Sequence, residues 1–339
     1  MIKVAVVILN WNGRKFLEEF LPVVINHSKN DAEIIVADNA SKDDSVDFLT
    51  RNFPDIRIIQ NNYNGGFSKG YNDALKQVDA KYYVLLNSDI ETTEGWINPV
   101  IDLMESDENI AACQPKLLSY TNRTYFEYAG AAGGFIDKWG YPFCRGRIFE
   151  VMEEDKGQYD DNREIFWATG ACLFVRADLF HKSGGLDEDF FAHMEEIDFC
   201  WRLKNSGYKI MYCAESVVYH VGGGTLPKAN WKKTYLNFRN NLLLLYKNLP
   251  TERIIPVFIV RLILDGVAGL KFLINGGLKD CLAVVKAHFH FYTSIPKTRR
   301  KRHEFNHRNV SDIYDSSIVY EHYVRNINRF IEIDKNKFS

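Results

Sequence analysis

The chain has 339 residues, 46% of them hydrophobic and 14% aromatic, which excludes general disorder and, at about 150 residues per domain, allows two units. Its 42 basic and 44 acidic side chains give a formal charge of -2, so there is no global attraction for nucleic acid and any basic function is local. The six cysteines (Cys113, Cys144, Cys172, Cys200, Cys213, Cys281) form no CxxC pair, a usage that fits buried thiols in a reducing compartment.

The first apolar run is short, and the Asn-Trp-Asn-Gly after it offers no small-residue cleavage site. It reads as a buried strand and a cytoplasmic start. Apolar runs at residues 4–9, 33–37, 56–60 and 82–86 alternate with helical patterns near 14–26, from about 44, and over 68–78. Near-continuous apolar strands with polar crossovers predict an α/β fold whose central sheet is mostly parallel and covered by helices on both faces. In such sheets ligands bind beyond the carboxyl ends of the strands. The residues there are Asn10-Trp11-Asn12, Asp38-Asn39, Asn61-Asn62 and Asn87-Ser88-Asp89, all polar and expected to converge.

From about residue 110 shorter strands and glycine turns (Gly130, Gly133, Gly134, Gly140) take over, with an acidic loop at 153–161. A clear apolar run returns at 165–175. A helix follows at about 196–206, then strands at 208–213 and 216–220, and a Gly222-Gly223-Gly224 break. Beyond it the pattern is helical. A boundary near 227–231 divides the chain into residues 1–228 and 229–339.

Several residues in these positions carry chemistry. Asp38 opens a stretch dense in turn formers, so it serves either turn geometry or hydrogen bonding to a nucleotide base or ribose. Asn64-Gly65-Gly66-Phe67-Ser68 leads into a helix and offers backbone amides to an anion, yet it is neither a P-loop nor a dinucleotide fingerprint. Asp89 either caps a helix near 93–106 or helps hold a hard cation, which needs only one or two carboxylates when phosphates fill the other positions. Glu195, Glu196 and Asp198 open a helix, where negative charge is favoured. Asp198 has Arg202 at i,i+4, whereas Glu195 and Glu196 follow the aromatic-rich Phe190-Phe191-Ala192-His193-Met194 and suit a shielded general base. His220 ends a strand before the glycines.

Taken in order, Val6-Val7-Ile8-Leu9-Asn10-Trp11-Asn12-Gly13, Val36-Ala37-Asp38-Asn39-Ala40-Ser41, Asn64-Gly65-Gly66-Phe67-Ser68, Leu86-Asn87-Ser88-Asp89, Gly170-Ala171-Cys172 and the 190–202 segment resemble the family 2 glycosyltransferases of GT-A fold, especially the rhamnosyltransferase-like branch. The resemblance covers roughly residues 1–225. It implies a GT-A catalytic domain over 1–228 and a helical C-terminal extension over 229–339. It also implies donor binding by Asn10, Asn12, Asp38, Asn64, Gly66, Ser68, Asn87 and Ser88, with Asp38 on a uracil or thymine base. Asp89 becomes the metal ligand of a DxD-type motif whose first position is here Asn87, His220 a second ligand for Mg2+ or Mn2+, Glu196 the catalytic base and Glu195 its supporting carboxylate. The implied reaction is inverting transfer of a sugar, rhamnose as the family-level guess, from a dTDP- or UDP-sugar to a glycan or lipid-linked acceptor. Polysaccharide synthesis at the cell surface is the implied setting.

The stretch 254–274 is nearly long enough to span a bilayer, but Arg261, Asp265 and Lys271 interrupt it at a cost of roughly 2.5–3.5 kcal/mol each at the bilayer centre. Two readings stay open: an interfacial helix on the cytoplasmic face of the inner membrane, aided by Lys297, Arg299, Arg300, Lys301 and Arg302, or a packing surface that makes a homodimer. Rival functions are weighed by what they would need. A nucleotidyltransferase needs a glycine-rich loop where Asn10-Trp11-Asn12-Gly13 stands, and a processive synthase needs several spans and QxxRW. A non-catalytic nucleotide-sugar-binding protein on the same fold stays open because Glu196 replaces the family's usual Asp.

Overall fold

The computed structural model describes residues 2–222 and 230–339. Gly223 and Gly224 of the expected glycine break, and the 228/229 boundary, lie outside the described residues. The first part alternates as expected: β1 (Ile2–Asn10), α1 (Arg14–Ser28), β2 (Glu33–Asp38), α2 (Ser45–Asn52), β3 (Arg57–Gln60), α3 (Gly66–Leu75) and β4 (Ala80–Asn87). There follow β5 (Ile90–Thr92), α4 (Asn98–Ser106), β6 (Ile110–Ser119), β7 (Gly134–Asp137), β8 (Pro142–Cys144), β9 (Arg147–Ile148), β10 (Val151–Met152), β11 (Arg163–Ile165), β12 (Cys172–Arg176), α5 (Ala177–Lys182), α6 (Glu195–Asn205) and β13 (Lys209–His220).

The main sheet has nine strands in the order β11-β13-β6-β12-β4-β1-β2-β3, with β5 beside β13. Side chains alternate along β1. Ala5 and Val7 enter one core with Ile35 and Ala37, while Val4, Val6 and Ile8 enter the other with Ile34 and Val36. Both faces are therefore dry, which is why these strands read as unbroken apolar runs. The parallel reading holds for β4-β1-β2-β3, but β12 runs antiparallel to both β4 and β6. The whole sheet is mixed. The 165–175 run is two strands, since β11 pairs with β13 whereas β12 pairs with β4. Apolar content alone carries no signal for the turn at 166–171, because Phe166, Trp167 and Ala168 are buried like strand residues.

A second sheet of five strands, β10-β9-β8-β7-β14, is completed by β14 (Ile313–Tyr314) from the C-terminal tail. Phe330, Phe338 and Tyr314 of that tail pack around Phe135 and Phe143 in tilted and edge-to-face pairs. Close packing here rests on glycine. A Cβ on Gly134 would lie 2.0–2.5 Å from three atoms of the Trp167 indole. Gly134→Ala is expected to destabilise the protein by about 3 kcal/mol in chemical denaturation, as overpacking of a filled core does.

Between the sheets and the tail stand α7 (Trp231–Asn248), α8 (Thr251–Ile274) and α9 (Leu278–Arg302). The Asn230 side chain accepts from the Lys232 N–H and caps α7. Of the basic cluster at 297–302, Lys297 and Lys301 pair with Asp189 and Asp187, and Arg302 donates to the Tyr246 carbonyl at 2.9 Å. Only Arg299 and Arg300 of that cluster stay solvated with no carboxylate partner among the described residues. Of the described helices, none is long and apolar enough to cross a membrane.

Candidate active site

Strand register brings the polar ends together. Asn10 lies opposite Asp38, and Leu9 opposite Asn87, so β1, β2 and β4 end on one edge. The Asn10 Nδ2 donates to Asp38 Oδ1 at 3.1 Å and to Ser41 Oγ at 3.2 Å, while Asp38 Oδ2 accepts from the Ser41 N–H at 2.9 Å. Asp38 thus keeps its turn and stands at the strand end, 3% exposed. Asn12, at φ 51°, donates its N–H to Ser41 Oγ at 2.9 Å, and its Oδ1 accepts from the Lys42 N–H at 2.7 Å. Its side chain therefore shapes the loop. A Cβ on Gly13 would sit 2.4 Å from Asn10 Oδ1 and 3.4 Å from Ser88 Oγ, so Asn10, Gly13 and Ser88 crowd one spot. Among the described residues the buried Asn10 Oδ1 has no hydrogen-bond partner, and neither does the buried Ser68 Oγ. Orphaned polar atoms beside a strand end are what a ligand satisfies.

Asn64 Oδ1 accepts from the Gly66 N–H at 2.9 Å and from Asn39 Nδ2 at 3.1 Å; Asn39 in turn accepts from Asn61. Gly66 has φ 86°, and a Cβ there would meet the Phe191 carbonyl oxygen at 2.5 Å and its ring at 2.6 Å. The Phe67 N–H donates to that same carbonyl at 2.8 Å. The loop before α3 is thereby locked to the loop before α6.

That second loop is strained. Phe191, His193 and Met194 have φ of 64°, 70° and 74°, each costing on the order of 1–3 kcal/mol for a residue with a side chain. Helix α7 holds it in place. Asn240 Nδ2 donates to the carbonyls of Phe190 (3.0 Å), Ala192 (2.8 Å) and His193 (2.7 Å), and Arg239 to those of Asp189 (2.8 Å) and Phe190 (3.1 Å). Below the loop, buried Asp198 binds Arg202, as the i,i+4 spacing predicts, and also Lys247 and Asn248 at 2.8 Å.

The loop delivers Glu195 and Glu196 to the first turn of α6. Glu195 is 4% exposed with Oε2 unpartnered, and burial together with the neighbouring Glu196 raises its pKa far above the usual range. It is held as the neutral acid. Glu196 stays half-buried, and burial pushes its pKa up to about 7 against the pull of first-turn backbone amides. A Cβ on Gly170 would lie 3.1 Å from the Phe67 ring and 3.7 Å from Glu196 Cβ, which draws the three segments into one cluster.

On the other side, His220 is held between two carboxylates. Its Nε2 is 3.2 Å from Asp89 Oδ1 and its Nδ1 3.1 Å from Glu127 Oε2. Burial lowers the His220 pKa, but the two anions outweigh it and raise the value far above normal. For Asp89, burial raises the pKa and His220 more than reverses that. Helix α4 begins at Asn98, so Asp89 does not cap it. Among the described residues no three His, Cys, Asp or Glu side chains converge into a ready metal cage. The donor set still fits a hard or borderline cation: Asp89 and His220 Nε2 supply two positions, and Glu127 behind Nδ1 orients the ring as carboxylates do behind ligating histidines.

The expected donor-binding, metal-holding and catalytic residues thus fall at the carboxyl ends of β1, β2, β4 and β13 or at the starts of α3 and α6. Glu127 and Asn240 carry no assigned role in the sequence. Glu127 belongs to no pattern, but consecutive asparagines inside α7 are poor helix formers and signal tertiary bonds.

The comparisons with known proteins agree with this layout. The family model described as "Glycosyl transferase family 2" matches residues 5–184. The N-acetylglucosaminyl-diphospho-decaprenol L-rhamnosyltransferase of Mycobacterium tuberculosis is 24% identical over 230 residues, 63% of this chain and 75% of that protein. Among solved structures, GalNAc-T7 with UDP, GalNAc and Mn2+ has a TM-score of 0.58 at 15% identity, covering 74% of this chain but only 49% of its own. The mannosyltransferase PcManGT of Pyrobaculum calidifontis with GDP-Man and Mn2+ has a TM-score of 0.53 at 13% identity, covering 89% and 84%. The fold they share is the GT-A type. With more than half of its length matched by the model and its strand-end residues gathered as described, this chain belongs to glycosyl transferase family 2.

Proposed function

We propose that this glycosyltransferase works by inversion, moving rhamnose or a related hexose from a dTDP- or UDP-sugar to a hydroxyl of a lipid-linked or glycan acceptor in cell-surface polysaccharide synthesis. The observation that carries the reading is Glu196: a half-buried carboxylate with a pKa of about 7, presented beside the strand-end cluster. A base of that strength takes a hydroxyl proton near neutral pH. The acceptor oxygen then bonds to the anomeric carbon, the carbon–oxygen bond to the diphosphate breaks, and its electron pair leaves with the diphosphate. One displacement inverts the anomeric centre. The proton stays on Glu196 until solvent takes it.

In this reading Asp38, Asn10 and Ser88 bind the nucleotide side of the donor, and Asn87 and the Asn64–Ser68 amides the remainder. Asp89 and His220 would hold Mg2+ or Mn2+, which when bound neutralises charge on the leaving diphosphate. The exposed rings of Trp11, Tyr63 and Phe191, on the loops that carry these residues, suit stacking on a base or sugar. The rhamnose and lipid-linked acceptor are suggested by the mycobacterial relative's name.

The test is incubation with a panel of nucleotide sugars and simple acceptors, with and without divalent metal. Thermal stabilisation by one donor and a product of inverted anomeric configuration are expected. Retained configuration sinks the mechanism. Donor binding without transfer to any acceptor, including prenyl-diphosphate sugars, points instead to a non-catalytic binder. Asn240→Ala is expected to lower kcat by about 10- to 100-fold with donor KM little changed, because the strained loop then misplaces the base. A parallel rise in KM would show a general loss of structure.

A further inference from the structure

The hairpin of α8 and α9 is built inside out. The charged pair within α8 points inward: Arg261 is 2% exposed and Asp265 0%, joined at 2.9 Å and bound to Asn241, Tyr141 and His288. The outward side carries Ile255, Ile259, Leu262, Ile263, Val267 and Leu270, all more than half exposed, and between residues 255 and 270 no charged side chain shares that face. In water a surface helix puts its charges outside and its apolar stripe inside. On α9 a second apolar stripe, Leu278, Leu282, Val285, Phe289 and Tyr292, follows helical spacing and is continued by Arg299 and Arg300. Lys279 and Lys286 flank it, and neither has a carboxylate partner among the described residues.

Charge decides the occupant. Residues 251–302 contain ten Lys and Arg against three Asp and Glu; Lys297 and Lys301 pair with Asp189 and Asp187, but Lys271, Lys279, Lys286, Arg299 and Arg300 have no carboxylate partner among the described residues. Two copies meeting through this face would bring like charges together. An anionic bilayer complements both the apolar outer surface and its basic border. The hairpin is also fastened to the active site. Thr234, near the start of α7, donates to Asp280 at 2.6 Å, and Tyr235 lies 2.6 Å from His290. One further turn along α7, Arg239 and Asn240 hold the loop that presents Glu196, and from α9 Lys297 and Lys301 pair with Asp189 of the same segment.

We propose that the outer face of the α8–α9 hairpin is a monotopic docking surface for an anionic lipid bilayer, lying in the interface without crossing it, so that the base-bearing loop works next to the lipid surface. The docking itself does not depend on the proposed reaction. A test without sugar or acceptor keeps the two separable.

The experiment is flotation of the full chain with phosphatidylcholine vesicles and with vesicles that also contain phosphatidylglycerol. Binding to the anionic vesicles is expected, at least about tenfold weaker on neutral vesicles or in high salt. Ile259→Glu with Ile263→Glu should lower binding at least about tenfold with an unchanged melting temperature, since both side chains face outward. Should that variant not fold, Arg299→Gln with Arg300→Gln should weaken binding while leaving the core untouched. Failure to bind anionic vesicles, or wild-type binding by the folded variants, overturns the proposal. A dimer in sedimentation that the glutamate variant splits, with no vesicle binding, assigns the face to a second copy.

Discussion

Glu196→Gln is expected to lower kcat by about two to four orders of magnitude while donor affinity stays within about twofold of wild type. The amide is nearly isosteric and cannot accept the hydroxyl proton. Because burial holds the Glu196 pKa at about 7, the wild-type rate has a further signature. The active form is the carboxylate, so kcat rises as pH climbs through about 7 and levels off above it. Below that value the group is protonated and transfer fades. The glutamine variant should lack this limb. A variant with near-normal turnover, or a wild-type profile flat between pH 6 and about 8, would remove Glu196 as the base.

Asp89→Ala should weaken Mn2+-dependent donor binding by at least about 100-fold, measured by calorimetry with and without metal. Its carboxylate is buried beside His220, and its loss leaves the imidazole with only Glu127. Metal-free donor affinity should change far less. The same measurement on Glu127→Gln should give a smaller, roughly 10- to 100-fold loss, since that carboxylate reaches a metal only through the ring it orients. Equal metal dependence in wild type and Asp89→Ala would take the cation away from this position.

Much of this arrangement was legible in the sequence because it is local. Each strand of the parallel half announces itself by an apolar run, and its last polar residue marks the ligand edge without knowledge of neighbours. The Asp198–Arg202 pair needs only helical spacing. What stayed hidden depends on distant partners. Apolar content in residues 165–175 does not show that β11 and β12 pair with different strands, since Phe166, Trp167 and Ala168 between them are buried like strand residues and only Thr169-Gly170 marks the break. Glu127 acquires meaning only when β13 places His220 beside it. The tail after residue 306 is short of periodicity because a two-residue strand, one short helix at Ile318–Tyr323 and a few aromatic rings dock it. The basic run at 297–302 likewise hides its internal partners: three of its five cations bind carboxylates and carbonyls of distant segments, which leaves Arg299 and Arg300 solvated.

The bonds from Asn240 and Arg239 to the loop before α6 have a consequence for anyone recombining this enzyme with its relatives. The family model ends at residue 184, and the glycine run after His220 offers an inviting junction, yet a graft cut there would take the Glu196 loop from one parent and the side chains that hold it from another. A working exchange has to carry residues 186–302 as a single inheritance unit.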